Sequence, residues 1–226
     1  MEKTKTNTQR SLWQDAWRRF RKNRTAMAGL IFLCLLVLIA VATVVIDVVT
    51  QKEFYNTYVT SQNLVERLKG PSLEHPFGQD EYGRDILMRM LWGVRYSLFM
   101  GGIAIIFSLI VGGALGALAG YYGKVIDTVL MRFMDILLAI PSMLLATAIV
   151  AALGTSLVNV LIAIGIAYIP TFARTVRASV LTVKDQEFIE AARSIGCNDR
   201  EIIFKYIVSN AMAPIIVQAT LGLAGA

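Results

Sequence analysis

Residues 26–46 read AMAGLIFLCLLVLIAVATVVI, a run of 21 positions without a charged side chain. At about 1.5 Å of rise per residue, an α-helix of this length spans about 30 Å, the thickness of a bilayer's hydrocarbon core. The whole chain agrees in composition: 56% of its 226 residues are hydrophobic and 17% charged, against roughly 45–50% apolar residues in soluble domains. Hydrocarbon offers the backbone no hydrogen-bond partners, so crossings are helical unless strands close into a barrel, and these runs lack the short alternating pattern of barrel strands. The run follows 25 mostly polar residues and exceeds a signal-peptide core, which predicts a first span that is not cleaved.

Four further apolar runs, residues 97–119, 135–153, 157–172 and 206–226, predict an all-α polytopic membrane protein with five crossings. The first 25 residues carry Lys3, Lys5, Arg10, Arg18, Arg19, Arg21, Lys22 and Arg24 against Glu2 and Asp15. That excess predicts a cytoplasmic N-terminus. The loop 47–96 then lies outside, with six basic and seven acidic groups and so no inward bias. Alternation puts 120–134 inside, 154–156 outside and 173–205 inside, the last with six basic residues.

Two flanking segments have an interfacial pattern. In SLWQDAWRRFRKNR, Leu12, Trp13, Ala16, Trp17 and Phe20 share a helical face, and Ser11 with Gln14 has the form of a capping box. In GRDILMRMLWGVRYSL, from Gly83, the stripe Ile86, Leu87, Met90, Leu91 and Val94 leads into the second span. Catalytic chemistry is hard to assemble. The single histidine, His75, is read as a solvated loop residue, and Cys34 and Cys197 make neither a disulfide framework nor a metal site. There is no G-x-x-x-x-G-K-[ST] phosphate loop, so the chain has no visible means of hydrolysing ATP, and no cofactor of its own is expected.

Gly112, Gly116 and Gly120 recur every fourth position in the second span and line small residues along one face for close helix packing. Pro141 and Pro214, within the third and fifth runs, predict local kinks. Arg132 and Asp135, three residues apart, are placed to pair on one helix face. Ser142, Thr147 and Asn159 are polar groups within spans for which packing is favoured over lining a path.

Between the last two runs lies QEFIEAARSIGCNDREIIFKY, residues 186–206. Over 184–195, Phe188, Ile189, Ala192 and Ile195 form an apolar side, and Gly196 stands where helices end in a left-handed residue. Asn198 and Glu201 then form a capping box that opens a second helix into Ile202, Ile203, Tyr206 and Ile207. Such a helix pair could be a solvated loop, a DNA-reading helix-turn-helix or a docking element. The duplex major groove is about 12 Å wide and requires free access, which attachment to the bilayer at both ends denies. A rigid amphipathic helix offered to a groove on a cytoplasmic partner fits better.

Glu190-Ala191-Ala192-x-x-x-Gly196 resembles the EAA loop of permease subunits in ATP-binding-cassette importers. SLWQDAWRRFRKNRTAMAGL, PSLEHPFGQDEYGRDIL, AGYYGKVIDTVLMRFMDILLAIP and EFIEAARSIGCNDREIIFKYI are similar, in order, to the C-type permease of oligopeptide, dipeptide and nickel importers. The segment from about 47 to 69 stands outside this similarity. Val208-Ser209 replaces the family's usual Leu-Pro, and a sixth span that the family has is missing, which implies a shortened chain.

The resemblance implies a type I importer transmembrane domain, made of residues 1–25, a first span at 26–46, an outer loop at 47–96 and a core at 97–226. Its coupling loop would cover about 183–205. The implied partners are a homologous permease subunit, two ATP-binding-cassette ATPase subunits that bind ATP and magnesium, and an extracytoplasmic substrate-binding protein, all in a bacterial or archaeal plasma membrane. Phe188, Ile189, Glu190, Ala191, Ala192, Ile195 and Gly196 would couple to the ATPase, with no nucleic acid involved. A secondary carrier or channel that needs no ATPase is the other class the residues leave open.

Overall fold

In the computed structural model, residues 17, 18 and 20–225 are described; the amphipathic reading of 11–16 lies outside them. Among the described residues the chain is helical, and its one β-type contact is an isolated bridge between Gln79 and Asp85. Three helices are long and apolar enough to cross a membrane, and five crossings result if each of two bent pairs counts as one. The chain divides into two compact units between Ser97 and Leu98.

In the first unit, α1 (Arg24–Val49) starts at Asn23, whose side chain accepts hydrogen bonds from the backbone N–H of Thr25 and Ala26. Its apolar side chains are exposed around the whole circumference, Ile31, Phe32, Leu38 and Val48 among them. A helix that is apolar on every side is stable where lipid covers it. Near its end Asp47 is buried, accepting from Trp92 Nε1 at 2.9 Å and Arg95 Nη1 at 2.5 Å. Pairing of this kind is what a carboxylate at membrane depth requires.

The loop that follows is folded, not merely polar. Gly83 has φ +70°, and a Cβ there would lie 1.9 Å from the Asn63 carbonyl oxygen, so the chain closes on itself only with glycine. His75 departs from the solvated reading: its Nδ1 is 2.7 Å from Asp85 Oδ2 and its Nε2 is 3.2 Å from Gln79 Nε2. This arrangement suits the Nδ1–H tautomer. Burial pulls the Asp80 carboxyl up, but the backbone N–H groups of Arg84 and Tyr82 and the Arg84 guanidinium outweigh it and hold the group down to about 2. Asp85 accepts from Met88 N at 2.8 Å and opens α2 (Ile86–Tyr122). The amphipathic lead-in and the second span are therefore one helix of 37 residues.

The second unit holds the rest of α2 together with α3 (Lys124–Ala139), α4 (Ser142–Leu153), α5 (Leu157–Val183), α6 (Glu187–Ser194), α7 (Asp199–Val208) and α8 (Met212–Gly225). Its core is α2 against α5. A Cβ on Gly112 would lie 2.5 Å from Ile169 O, one on Gly116 2.3 Å from Ala173 O, and one on Gly120 2.9 Å from the Val180 Cβ. The contact thus runs along α2 for two turns with backbone against backbone. Ser108 Oγ adds a buried hydrogen bond of 2.7 Å to Gly165 O.

Three expectations need correction. At Pro141 there is a break, not a kink: α3 and α4 meet at 87°, because Ile140 is extended, as the residue before a proline prefers to be. The second bend, 71° between α7 and α8, lies at 209–211. Pro214 sits in the first turn of α8, where a missing N–H costs no helical hydrogen bond. Finally, Arg132 does not pair with Asp135. Asp135 accepts from Arg174 at 2.6 Å, and Asp127 takes both Arg177 Nε and Nη2 at 2.5 and 2.6 Å. These arginines are not in a loop, because α5 continues through Pro170 as far as Val183 and presents them to α3.

The polar residues of the α4–α5 region have local work. Asn159 Nδ2 donates to Leu153 O and Gly154 O at 2.7 and 2.9 Å, closing the turn between those helices. Thr147 bonds back to the carbonyls of Met143 and Leu144 in its own helix.

Candidate functional site

Eight residues make α6, with Glu187 and Glu190 in its first turn and Arg193 in its last, charges that complement the helix dipole. It ends in a Schellman arrangement: Gly196 N donates to Arg193 O at 3.0 Å and Cys197 N to Ala192 O at 3.1 Å, while Gly196 has φ +86°. The next helix opens at once. Glu201 N donates to Asn198 Oδ1 at 2.9 Å and Glu201 Oε2 accepts from Asn198 N at 3.4 Å, which completes a capping box. From Ile202 the helix widens into the looser i to i+5 pattern, and so continues to Val208.

Burial divides the apolar side chains of α6 in two. Ile189 and Ala192, three residues apart, are buried in a cluster with Val180, Val183, Ile202, Ile203 and Ile207. Phe188 and Ile195 are not: they are 37% and 77% exposed. The apolar side expected of these four residues is therefore not buried as a whole, since positions 188 and 195, seven apart, share a face that is rotated away from the pair 189 and 192. Ala191 is exposed while Ala192 is buried, so the two alanines face different surroundings. Glu190 and Gly196 are exposed, and nothing lies within 4 Å of a Cβ built on Gly196.

The loop is tied to the end of α2 by residues that the spacing argument did not single out. Tyr121 and Tyr122 donate to the two oxygens of Asp199 at 2.6 and 3.2 Å. Lys184 Nζ donates to Gly120 O at 3.1 Å, and the Arg193 guanidinium carbon lies 5.5 Å from the centre of the Tyr121 ring. The Tyr-Tyr pair lay in a stretch quoted for the resemblance, but nothing in a single sequence tells that it meets Asp199, which is 78 residues away from Tyr121. The outcome is a short rigid helix with its inner face fixed to α5 and α7, its flanks fixed to α2, and its outer face uncovered. Away from α6, an apolar groove of about 630 Å³ lies between α2, α7 and α8, bounded by Gly113 and Ala117 of α2, Phe204 of α7 and Met212 of α8.

Residues 112–226 match the family described as binding-protein-dependent transport system inner membrane component, and residues 11–71 match the N-terminal TM domain of oligopeptide transport permease C. The second match includes 47–69, the segment set apart from the resemblance, and so corrects that exclusion. The dipeptide transport system permease protein DppC of Alkalihalophilus pseudofirmus is 47% identical over 94% of this chain and 67% of its own length. Glutathione transport system permease proteins GsiD are also similar, that of Pectobacterium atrosepticum at 38% over 92% of this chain and 67% of its own length. The GsiD of Shigella sonnei is 40% identical over 98% of this chain and 71% of its own length. By both the family match and these identities, the chain belongs to the inner-membrane permease family of binding-protein-dependent, ATP-binding-cassette transport systems.

Proposed function

We propose that this chain is the permease subunit of an ATP-driven importer and forms half of a translocation path for peptides. Relatives named for dipeptide and glutathione transport support a peptide-type solute over nickel. The reading has the N-terminus in the cytoplasm, a homologous permease as partner, two ATPase subunits against α6 and a substrate-binding protein outside. This chain is a non-catalytic subunit; ATP and magnesium belong to the ATPases.

The observation that carries the proposal is the divided face of α6. With Ile189 and Ala192 buried and Phe188, Ala191 and Ile195 outward, a partner that grips the outer face moves a body already packed on α5 and α7. A capped helix transmits such a push as a rigid element instead of bending. Glu190, outward and in the first turn, is suited to an ionic contact with the ATPase.

The test is uptake in proteoliposomes that contain the assembled complex, with ATP or an ion gradient as the only energy source. ATP-dependent uptake of a peptide, lost on Ile195→Asp, is the expected result. Uptake driven by a gradient without any ATPase subunit would mean a secondary carrier.

A further inference from the structure

The first unit holds a recess of its own. At the junction of the outer loop with α2, a recess of about 180 Å³ is lined by Tyr55, Arg84, Arg89, Trp92, Gly93 and Tyr96, with Val59 and Thr60, and has no carboxylate in its lining. Arg84 Nε and Arg89 Nη1 both donate to the same oxygen of Asp80, the first at 2.8 Å. One carboxylate oxygen thus answers two guanidiniums. The remaining N–H groups of Arg84 and Arg89 have no hydrogen-bond acceptor among the described residues. Arg95, close by, is already paired with Asp47.

The depth of the recess tells what anion would reach it. Trp92 and Arg95 bond to Asp47, two positions before the end of α1, where the apolar Val48 and Val49 are 73% and 76% exposed. Phe54 stacks on Trp92 at 5.3 Å, and Tyr58 and Tyr96 are exposed around it. Such a ring of aromatics marks the boundary between hydrocarbon and headgroups. Arg89 precedes Trp92 by three residues on α2 and stands about 4.5 Å beyond it along the helix axis. The headgroup layer on each side of a bilayer is about 5–7 Å thick, so with Trp92 at the hydrocarbon boundary Arg89 falls within that layer.

We propose that this recess binds the phosphate of a phospholipid headgroup, with Arg84 and Arg89 donating to the phosphate oxygens and the rings of Tyr55 and Tyr96 flanking it. The local excess of positive charge favours lipids of net negative charge over zwitterionic ones. Under the orientation proposed above, the lipid belongs to the outer leaflet. Guanidinium groups suit this task because their planar fork presents two parallel donors to two oxygens of one phosphate.

The test is native mass spectrometry of the full chain in detergent, freed of lipid and titrated separately with phosphatidylglycerol, a diglucosyl diacylglycerol of equal chain length, inorganic phosphate and soluble polyglutamate. The variants are R84Q/R89Q, which removes both positive charges and the guanidinium forks, and Gly93→Leu, which fills the recess. Nothing lies within 4 Å of a Cβ at Gly93, so the first carbon of that second variant meets no clash. The expected result is one saturable phosphatidylglycerol site, at least tenfold weaker in both variants and not occupied by the glycolipid. Equal phosphatidylglycerol affinity in all three proteins would overturn the proposal, as would equal binding of the glycolipid. Variant-sensitive binding of inorganic phosphate that matches or exceeds that of the lipid would assign the site to a free anion instead. Variant-sensitive polyglutamate binding with lipid binding unchanged would assign it to an acidic protein partner.

Discussion

Tyr121, in the last turn of α2, donates its hydroxyl hydrogen bond to Asp199 at 2.6 Å and so joins a long apolar helix to the first turn of α7. Because α6 lies between α5 and α7 in sequence and packs on both, the end of α2 cannot move freely of the α6–α7 segment. Tyr121→Phe removes the bond and keeps the ring. A single hydrogen bond contributes about 1 kcal/mol net, so a two- to fivefold loss of ATP-driven uptake is expected at unchanged membrane level. Measurement of initial uptake rates with matched quantities of subunit checks it.

Gly196 gives a sharper comparison. It has φ +86° with open space around its Cβ position, so any penalty comes from the backbone and not from a clash. Valine in that conformation costs on the order of 1–3 kcal/mol, whereas asparagine tolerates it far better. Gly196→Val is expected to reduce uptake strongly and Gly196→Asn to keep most of it. Equal activity of the two variants would show that the Schellman turn does not matter for transport.

Along α2 the glycines are not equivalent. At Gly116 a Cβ would meet Ala173 O at 2.3 Å, while at Gly102 nothing lies within 4 Å. Gly116→Ala must separate α2 from α5 and is expected to destabilise by about 1–3 kcal/mol, the usual range for an overpacked contact. Gly102→Ala should be neutral or slightly stabilising through helix propensity. Thermal unfolding of the two variants in the same detergent distinguishes them.

Asp80 predicts a pH dependence. Its carboxyl is held at about 2 in the folded loop, below the value of about 3.9 of an unfolded aspartate. The folded state therefore binds fewer protons, and the stabilisation is fully present above about pH 4 and is lost as the pH falls toward 2. Protection of the 61–85 loop against an acid-active protease should decline over that window in the wild type. In Asp80→Asn the part of this decline that Asp80 contributes should be missing.

The helical class and the crossings were legible because charge-free runs of bilayer length have few other uses, as 26–46 shows. The glycine stop and the capping box at Gly196, Asn198 and Glu201 were legible for a similar reason: they act within four or five residues. Long-range pairing was not. Periodicity offered Arg132 to Asp135, but a single sequence does not show that α5 runs on through Pro170 and brings Arg174 and Arg177 against α3. The burial of Ile189 against the exposure of Phe188 was hidden likewise, since both lie on the apolar side of the helix and only the positions of α5 and α7 decide which one faces inward.

The central claim is that the outward face of α6 is where an ATP-hydrolysing subunit grips this chain. A photo-activated crosslinker placed singly at 188, 191 and 195 of the assembled transporter, with one at the buried position 189 as control, addresses it most directly. The predicted result is adducts with an ATPase subunit from 188, 191 and 195, changing in yield between ATP-bound and nucleotide-free states, and none from 189. Adducts with lipid alone, or with a protein of the extracytoplasmic side, would contradict the account.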